Sequence, residues 1–61
     1  MFINLKRIEN HRTRDVLINM AMVERIYGSY GESEIIFKSG KSLIVAHEIG
    51  ELKKLLEGGG D

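Results

Sequence analysis

The stretch Ser33-Glu34-Ile35-Ile36-Phe37-Lys38-Ser39-Gly40-Lys41-Ser42-Leu43-Ile44-Val45 decides the fold. Two runs of β-branched and aromatic residues flank Lys38-Ser39-Gly40. A three-residue loop with Gly last suits a type I turn closed by a Gly bulge, because Gly40 takes a positive φ at no steric cost. That turn pairs Phe37 with Lys41 and Ile35 with Leu43. It places Ile35, Phe37, Leu43 and Val45 on one face. A two-residue loop would slip the register and mix this face with Ser42 and Ile44. Ile36 and Ile44 are left on the opposite face beside Glu34 and Ser42, so that face is half apolar.

Downstream, His47 to Glu57 predicts a helix. Ile49, Leu52, Leu55 and Leu56 form one stripe at a period of 3.6, with Glu51, Lys53, Lys54 and Glu57 on the other side. Gly58 is the expected left-handed cap, and residues 58–61 read as a flexible Gly-rich tail. Upstream, Ile3 and Leu5 alternate with Asn4 and Lys6, which predicts a strand over 2–8. Glu9 to Asp15 is wholly polar and reads as a loop or hairpin tip. Val16-Leu17-Ile18 resumes strand chemistry. Asn19 can cap a brief helical turn over 20–22, where Met and Ala replace β formers. A further strand is expected to put Val23, Arg25 and Tyr27 on one side and Glu24 and Ile26 on the other. Gly28 to Glu32 is a turn. The predicted architecture is one α+β domain over 1–57: a small antiparallel meander of about four strands followed by one C-terminal helix.

Size limits what such a domain can be. The chain has 61 residues and no Cys, Pro or Trp. A domain of this length buries only about 60% of the surface of its unfolded chain. Disulfides, structural metals or oligomerisation usually make up the deficit. Without cysteine the first is excluded and thiolate metal sites with it; two histidines do not complete a zinc site. A homo-oligomer is the remaining option. Phe2, Met20, Met22, Ile36 and Ile44 exceed what one helix can cover, and are the candidate interface.

Nine basic residues balance nine acidic ones, so no global field draws the chain to nucleic acid or acidic membranes. The balance is a cancellation. Residues 1–14 carry Lys6, Arg7, Arg12 and Arg14 against Glu9; residues 47–61 carry Glu48, Glu51, Glu57 and Asp61 against Lys53 and Lys54. Lys6, Arg7, His11, Arg12 and Arg14 are the candidate contacts for nucleic acid or another anion. Tyr27 and Tyr30 would add stacking surfaces if they lay nearby. No apolar run approaches the roughly 20 residues of a membrane span, and no cleavable leader pattern opens the chain. A cytoplasmic protein with no membrane insertion is expected.

No nucleophile is set up for catalysis: the serines fall in turns or hairpin positions and none is paired with a histidine. A chain of this size is not expected to hold a deep pocket. His47 and Glu51 share a helix face at i, i+4, an edge of two ligands that does not amount to a metal site. Gly28-x-x-Gly31 lacks the Lys-Ser/Thr of a phosphate loop. The expectation is a protein with no enzymatic activity, cofactor or metal.

Several of these residues form a familiar pattern. Ile3, Leu5 and Arg7, then Leu17-Ile18-Asn19, Val23-Glu24-Arg25-Ile26, Ile35-Ile36-Phe37, Gly40-Lys41 and Val45 resemble the flagellar FlbD family of small motility-associated proteins over about residues 2–56. The family's usual Asn-Gly turn after the first strand is replaced here by Glu9 to Asp15. Residues 19–56 also resemble the C-terminal part of LytTR DNA-binding domains. The first resemblance implies a non-enzymatic role in motility exercised through protein contacts. The second implies DNA binding; together with the basic residues it makes the alternative a small nucleic-acid-binding regulator, LytTR-like or of phage type, using the Lys6–Arg14 region.

Overall fold

The computed structural model describes residues 1–58. Five strands and two helical elements follow in order: β1 (Phe2–Glu9), β2 (Arg12–Asn19), a 3-10 turn (Met20–Met22), β3 (Val23–Gly28), β4 (Ser33–Phe37), β5 (Ser42–Val45) and α1 (Ile49–Gly58). All strand pairings are antiparallel, in the spatial order β2-β1-β5-β4-β3. The α+β class and the C-terminal helix are as expected; there are five strands where about four were expected, and they do not form one meander, because β1 pairs with β5 while β2 and β3 lie at opposite edges.

The short run expected at 16–18 becomes the eight-residue strand β2 at the expense of the polar segment 9–15. That segment is not a loop of seven residues: β1 runs through Glu9 and β2 resumes at Arg12, in unbroken register from Phe2↔Asn19 to Glu9↔Arg12. Only Asn10 and His11 form the turn, with φ of 51° and 63°. Two consecutive left-handed residues make the two-residue turn whose twist matches a hairpin. The turn does the work of Asn-Gly, with His11 in the glycine's place.

The 33–45 hairpin has the register its turn chemistry predicts. Ile35 faces Leu43, Phe37 N–H donates to the Lys41 carbonyl at 2.8 Å, and Gly40 has φ of 93°. In β3 the expected alternation fails. The register shifts between Val23 and Arg25, a bulge at Glu24. The bulge returns Val23 and Ile26 to the same side, against the core, and leaves Arg25 and Tyr27 facing away. Asn19 caps the 3-10 turn as expected, its side-chain oxygen accepting from Ala21 N–H at 3.1 Å.

β2 and β3 lie at opposite edges of the sheet, yet three residues join them. Flat, five strands would set these edges about 19 Å apart. Even fully extended, the link from Asn19 to Val23 spans at most about 14 Å. The sheet must therefore curl, with its core on the concave side. Leu5, Ile18, Ile35 and Val45 are buried there, one from each of β1, β2, β4 and β5; Leu52 of α1 closes over them. Met20, from the link itself, packs on this cluster.

The helix begins two residues later than expected, at Ile49, and Gly58 is its last residue rather than a left-handed cap. The rest of the expected tail, 59–61, lies outside the described residues. Only Leu52 of the apolar stripe is fully buried, and Ile49 and Leu55 remain exposed. A close backbone approach occurs at Gly28 and not at Gly50. A Cβ at Gly28 would meet Ile49 Cγ2 at 2.8 Å, whereas one at Gly50 meets nothing within 4 Å.

Two substitutions test these points. Gly28→Ala should cost about 1–3 kcal/mol in urea unfolding, because the overlap lies at the branched Cβ of Ile49. His11→Gly should raise stability by about 1 kcal/mol by removing the Cβ penalty at a left-handed position.

Candidate functional site

Three features have the residue types for a role: the basic hairpin, the junction at His47, and the outer side of the sheet. In the hairpin, the strand register separates the cations. Arg7, Arg12 and Arg14 fall on the core side of β1–β2, with Arg7 opposite Arg14 and Glu9 opposite Arg12. Lys6 falls on the outer side opposite Asp15 and pairs with it at 2.6 Å. Glu9 lies 3.3 Å from Arg7 and 3.5 Å from Arg14. The candidate contacts Lys6, Arg7, His11, Arg12 and Arg14 thus do not form one ridge, and local carboxylates engage three of them. Arg12 has no ion pair among the described residues. Tyr27 sits on β3, the far edge of the sheet, where its hydroxyl accepts from Arg25 Nε at 2.7 Å. The acidic helix does not cover the hairpin with ion pairs; its Glu51 pairs with His47.

His47 occupies the bend between β5 and α1. Its Nε2 accepts from the Lys6 backbone N–H at 2.9 Å, and its Nδ1 lies 3.0 Å from Glu51 Oε2. Both ring nitrogens are engaged. Since Nε2 must offer a lone pair, the ring proton sits on Nδ1 facing Glu51. The i, i+4 spacing of His47 and Glu51 therefore gives a hydrogen bond, and neither nitrogen has a lone pair for a metal. Among the described residues no group of three or more His, Asp or Glu side chains converges on a cation position.

The ring also continues a sheet. Ala46 N–H donates to the Lys6 carbonyl at 2.8 Å, the first half of an antiparallel pair. The chain then turns away, and His47 Nε2 takes the acceptor place of the Ala46 carbonyl. Buried Ser33 holds the bend from the other side, its hydroxyl donating to the His47 carbonyl at 2.6 Å.

The outer side of the sheet carries no covering element. Phe2 is 63% exposed and Leu17 is 68% exposed; Ile8, Ile36 and Ile44 are half-buried. Of the candidate interface residues, Phe2, Ile36 and Ile44 lie on this side. Met22 is exposed in the 3-10 turn, whereas Met20 is turned into the core. Sequence reading missed Leu17. The signal was available in the pairing: once Ile3 and Leu5 are matched with Ile18 and Val16, Leu17 must face outward.

A groove of about 550 Å³ lies at Gly28, Ser29, Tyr30 and Ile49, where no pocket was expected. Fully exposed Tyr30 forms one wall, so the groove is open to solvent, and no charged side chain lines it. Among the described residues no helix is long and apolar enough to cross a membrane.

His47→Ala should destabilise the fold by about 0.5–1.5 kcal/mol, because Lys6 N–H exchanges its protein acceptor for water. Amide exchange at Lys6 should accelerate by more than at Leu5, whose N–H faces β2. Comparison with protein-family models, curated proteins and solved structures finds no match to this chain.

Proposed function

We propose that this chain is a small non-enzymatic protein-interaction module that associates with copies of itself. The observation that carries the reading is the uncovered outer side of the sheet, where exposed Phe2 and Leu17 lie together on β1 and β2 and half-buried Ile8, Ile36 and Ile44 occupy the same side. Exposed apolar side chains that sit together, as Phe2 and Leu17 do on neighbouring strands, mark interaction surfaces. Association also supplies the burial that 61 residues without disulfides lack. The resemblance to the FlbD family supports a role exercised through protein contacts.

The nucleic-acid reading has less behind it. Its cations are divided between two sides of a hairpin, and Glu9 and Asp15 engage three of them. A phosphate backbone would have to displace those carboxylates.

Sedimentation equilibrium at micromolar concentration tests the proposal. The expected mass exceeds that of the 6.9 kDa chain. Phe2→Glu should lower the association constant at least tenfold with an unchanged far-ultraviolet dichroism spectrum. A monomer at every concentration up to about 1 mM would overturn the reading.

A further inference from the structure

We infer that the self-association proposed above, on which this inference rests, runs through the free edge of β2, with a second copy adding its own β2 antiparallel about a two-fold axis at Leu17. The two edges of the sheet differ. β3 is short, bulged at Glu24, carries the Glu24–Arg25 ion pair, and meets α1 where Ile49 sits on Gly28. Bulges, charges and a covering element are the usual means of blocking an edge. β2 has no bulge and no covering element, and its charges, Arg12, Arg14 and Asp15, are confined to its first half, which leaves Val16 to Asn19 uncharged. It is eight residues long, unbroken in register, and free of Pro, Lys and Gly.

Its backbone is also set for pairing. A two-residue turn makes the flanking residues Glu9 and Arg12 a hydrogen-bonded pair. Alternation then directs Arg14, Val16 and Ile18 towards β1, and the bond from Met20 N–H to the Met1 carbonyl at 2.8 Å continues that series. The N–H and C=O groups of Thr13, Asp15 and Leu17 therefore point away from β1, and no other strand pairs with β2. Their side chains face the outer side.

Self-pairing has few registers that keep core-side residues opposite core-side residues, and charge separates them. A two-fold at Arg14 or Asp15 sets like charges directly opposite each other, which is destabilising. A two-fold at Val16 sets Arg14 opposite Ile18 of the other copy. A two-fold at Leu17 sets Leu17 opposite Leu17, Val16 opposite Ile18 and Asp15 opposite Asn19. It matches apolar with apolar on both sides of the extended sheet and pairs no like charges. Exposed Phe2 flanks Leu17 on the outer side from β1. The occupant that fits this edge is a second copy, because the edge is complementary to itself.

Single-cysteine variants read the register, since the chain has no native cysteine. Opposed residues of a hydrogen-bonded pair have Cα atoms about 5.5 Å apart, within disulfide range. Under mild oxidation Leu17→Cys should convert to a cross-linked dimer, while Thr13→Cys and Asp15→Cys should stay uncrosslinked. Leu17→Lys should weaken dimerisation at least tenfold without altering the dichroism spectrum. Leu17→Pro, which removes only an outward N–H, should do the same if it remains folded. A dimer that tolerates Leu17→Lys, or that cross-links at 13 or 15 instead of 17, would overturn the β2 edge and leave self-association standing. A wild-type monomer throughout would overturn both.

Discussion

Three residues, Met20 to Met22, govern this molecule. They connect strands that a flat sheet would hold about 19 Å apart, and they can do so only if the sheet rolls up. The roll determines which side is concave, and therefore which side chains are buried. It brings Leu5 and Ile18 of β1 and β2 together with Ile35 and Val45 of β4 and β5 in one buried cluster that includes a single helical residue, Leu52. A ten-residue helix could not cover an open sheet of five strands. Curvature is what makes so short a helix sufficient. It also explains why Met20 packs on the core, half-buried, although it follows the last residue of an edge strand.

The sequence is most informative where one local rule acts alone. The Gly40 turn determines its hairpin, because turn length sets register and register sets faces. The Asn19 cap and the short 20–22 turn follow from local side-chain chemistry in the same way. Local rules fail where the determining partner is distant. Glu9 to Asp15 looks like a loop by composition, but pairing across the hairpin extends both strands into it, because charged residues are tolerated where one side of a strand is solvated. The bulge at Glu24 has no signature in β3 itself; it appears only when the strand is aligned with β4. Gly28 looks like a turn glycine until Ile49 is placed on it.

The candidate site divides in the same manner. Phe2, Ile36 and Ile44 could be placed on the outer side by alternation within their own strands. Leu17 could not, because an apolar triplet at 16–18 has no polar member to mark its outward face. The electrostatic asymmetry between the chain's two ends is real in composition, yet the folded molecule does not use it as a long-range dipole. Its ion pairs are local, Lys6 with Asp15, Glu9 with two arginines and Glu24 with Arg25, while His47 and Glu51 share a hydrogen bond. Most cations of the β1–β2 hairpin meet carboxylates of that same hairpin.

The seam between β1 and β5 is the narrowest join in the sheet. It has one backbone bridge, Arg7 with Val45, the bond from Ala46 to Lys6, and the imidazole of His47 standing in for a carbonyl. Every other pairing joins strands adjacent in the chain. This seam alone joins two local assemblies, the β1–β2 hairpin and the β3–β4–β5 meander. Forming it closes a loop of nearly forty residues, a chain-entropy cost that grows with the logarithm of loop length and that no hairpin turn bears. The free energy that separates the closed sheet from two loosely linked hairpins therefore resides in a few bonds around Lys6 and in the side chains packed beneath them. Those few bonds make cooperativity in this domain a property of the seam, while each hairpin has its own local turn.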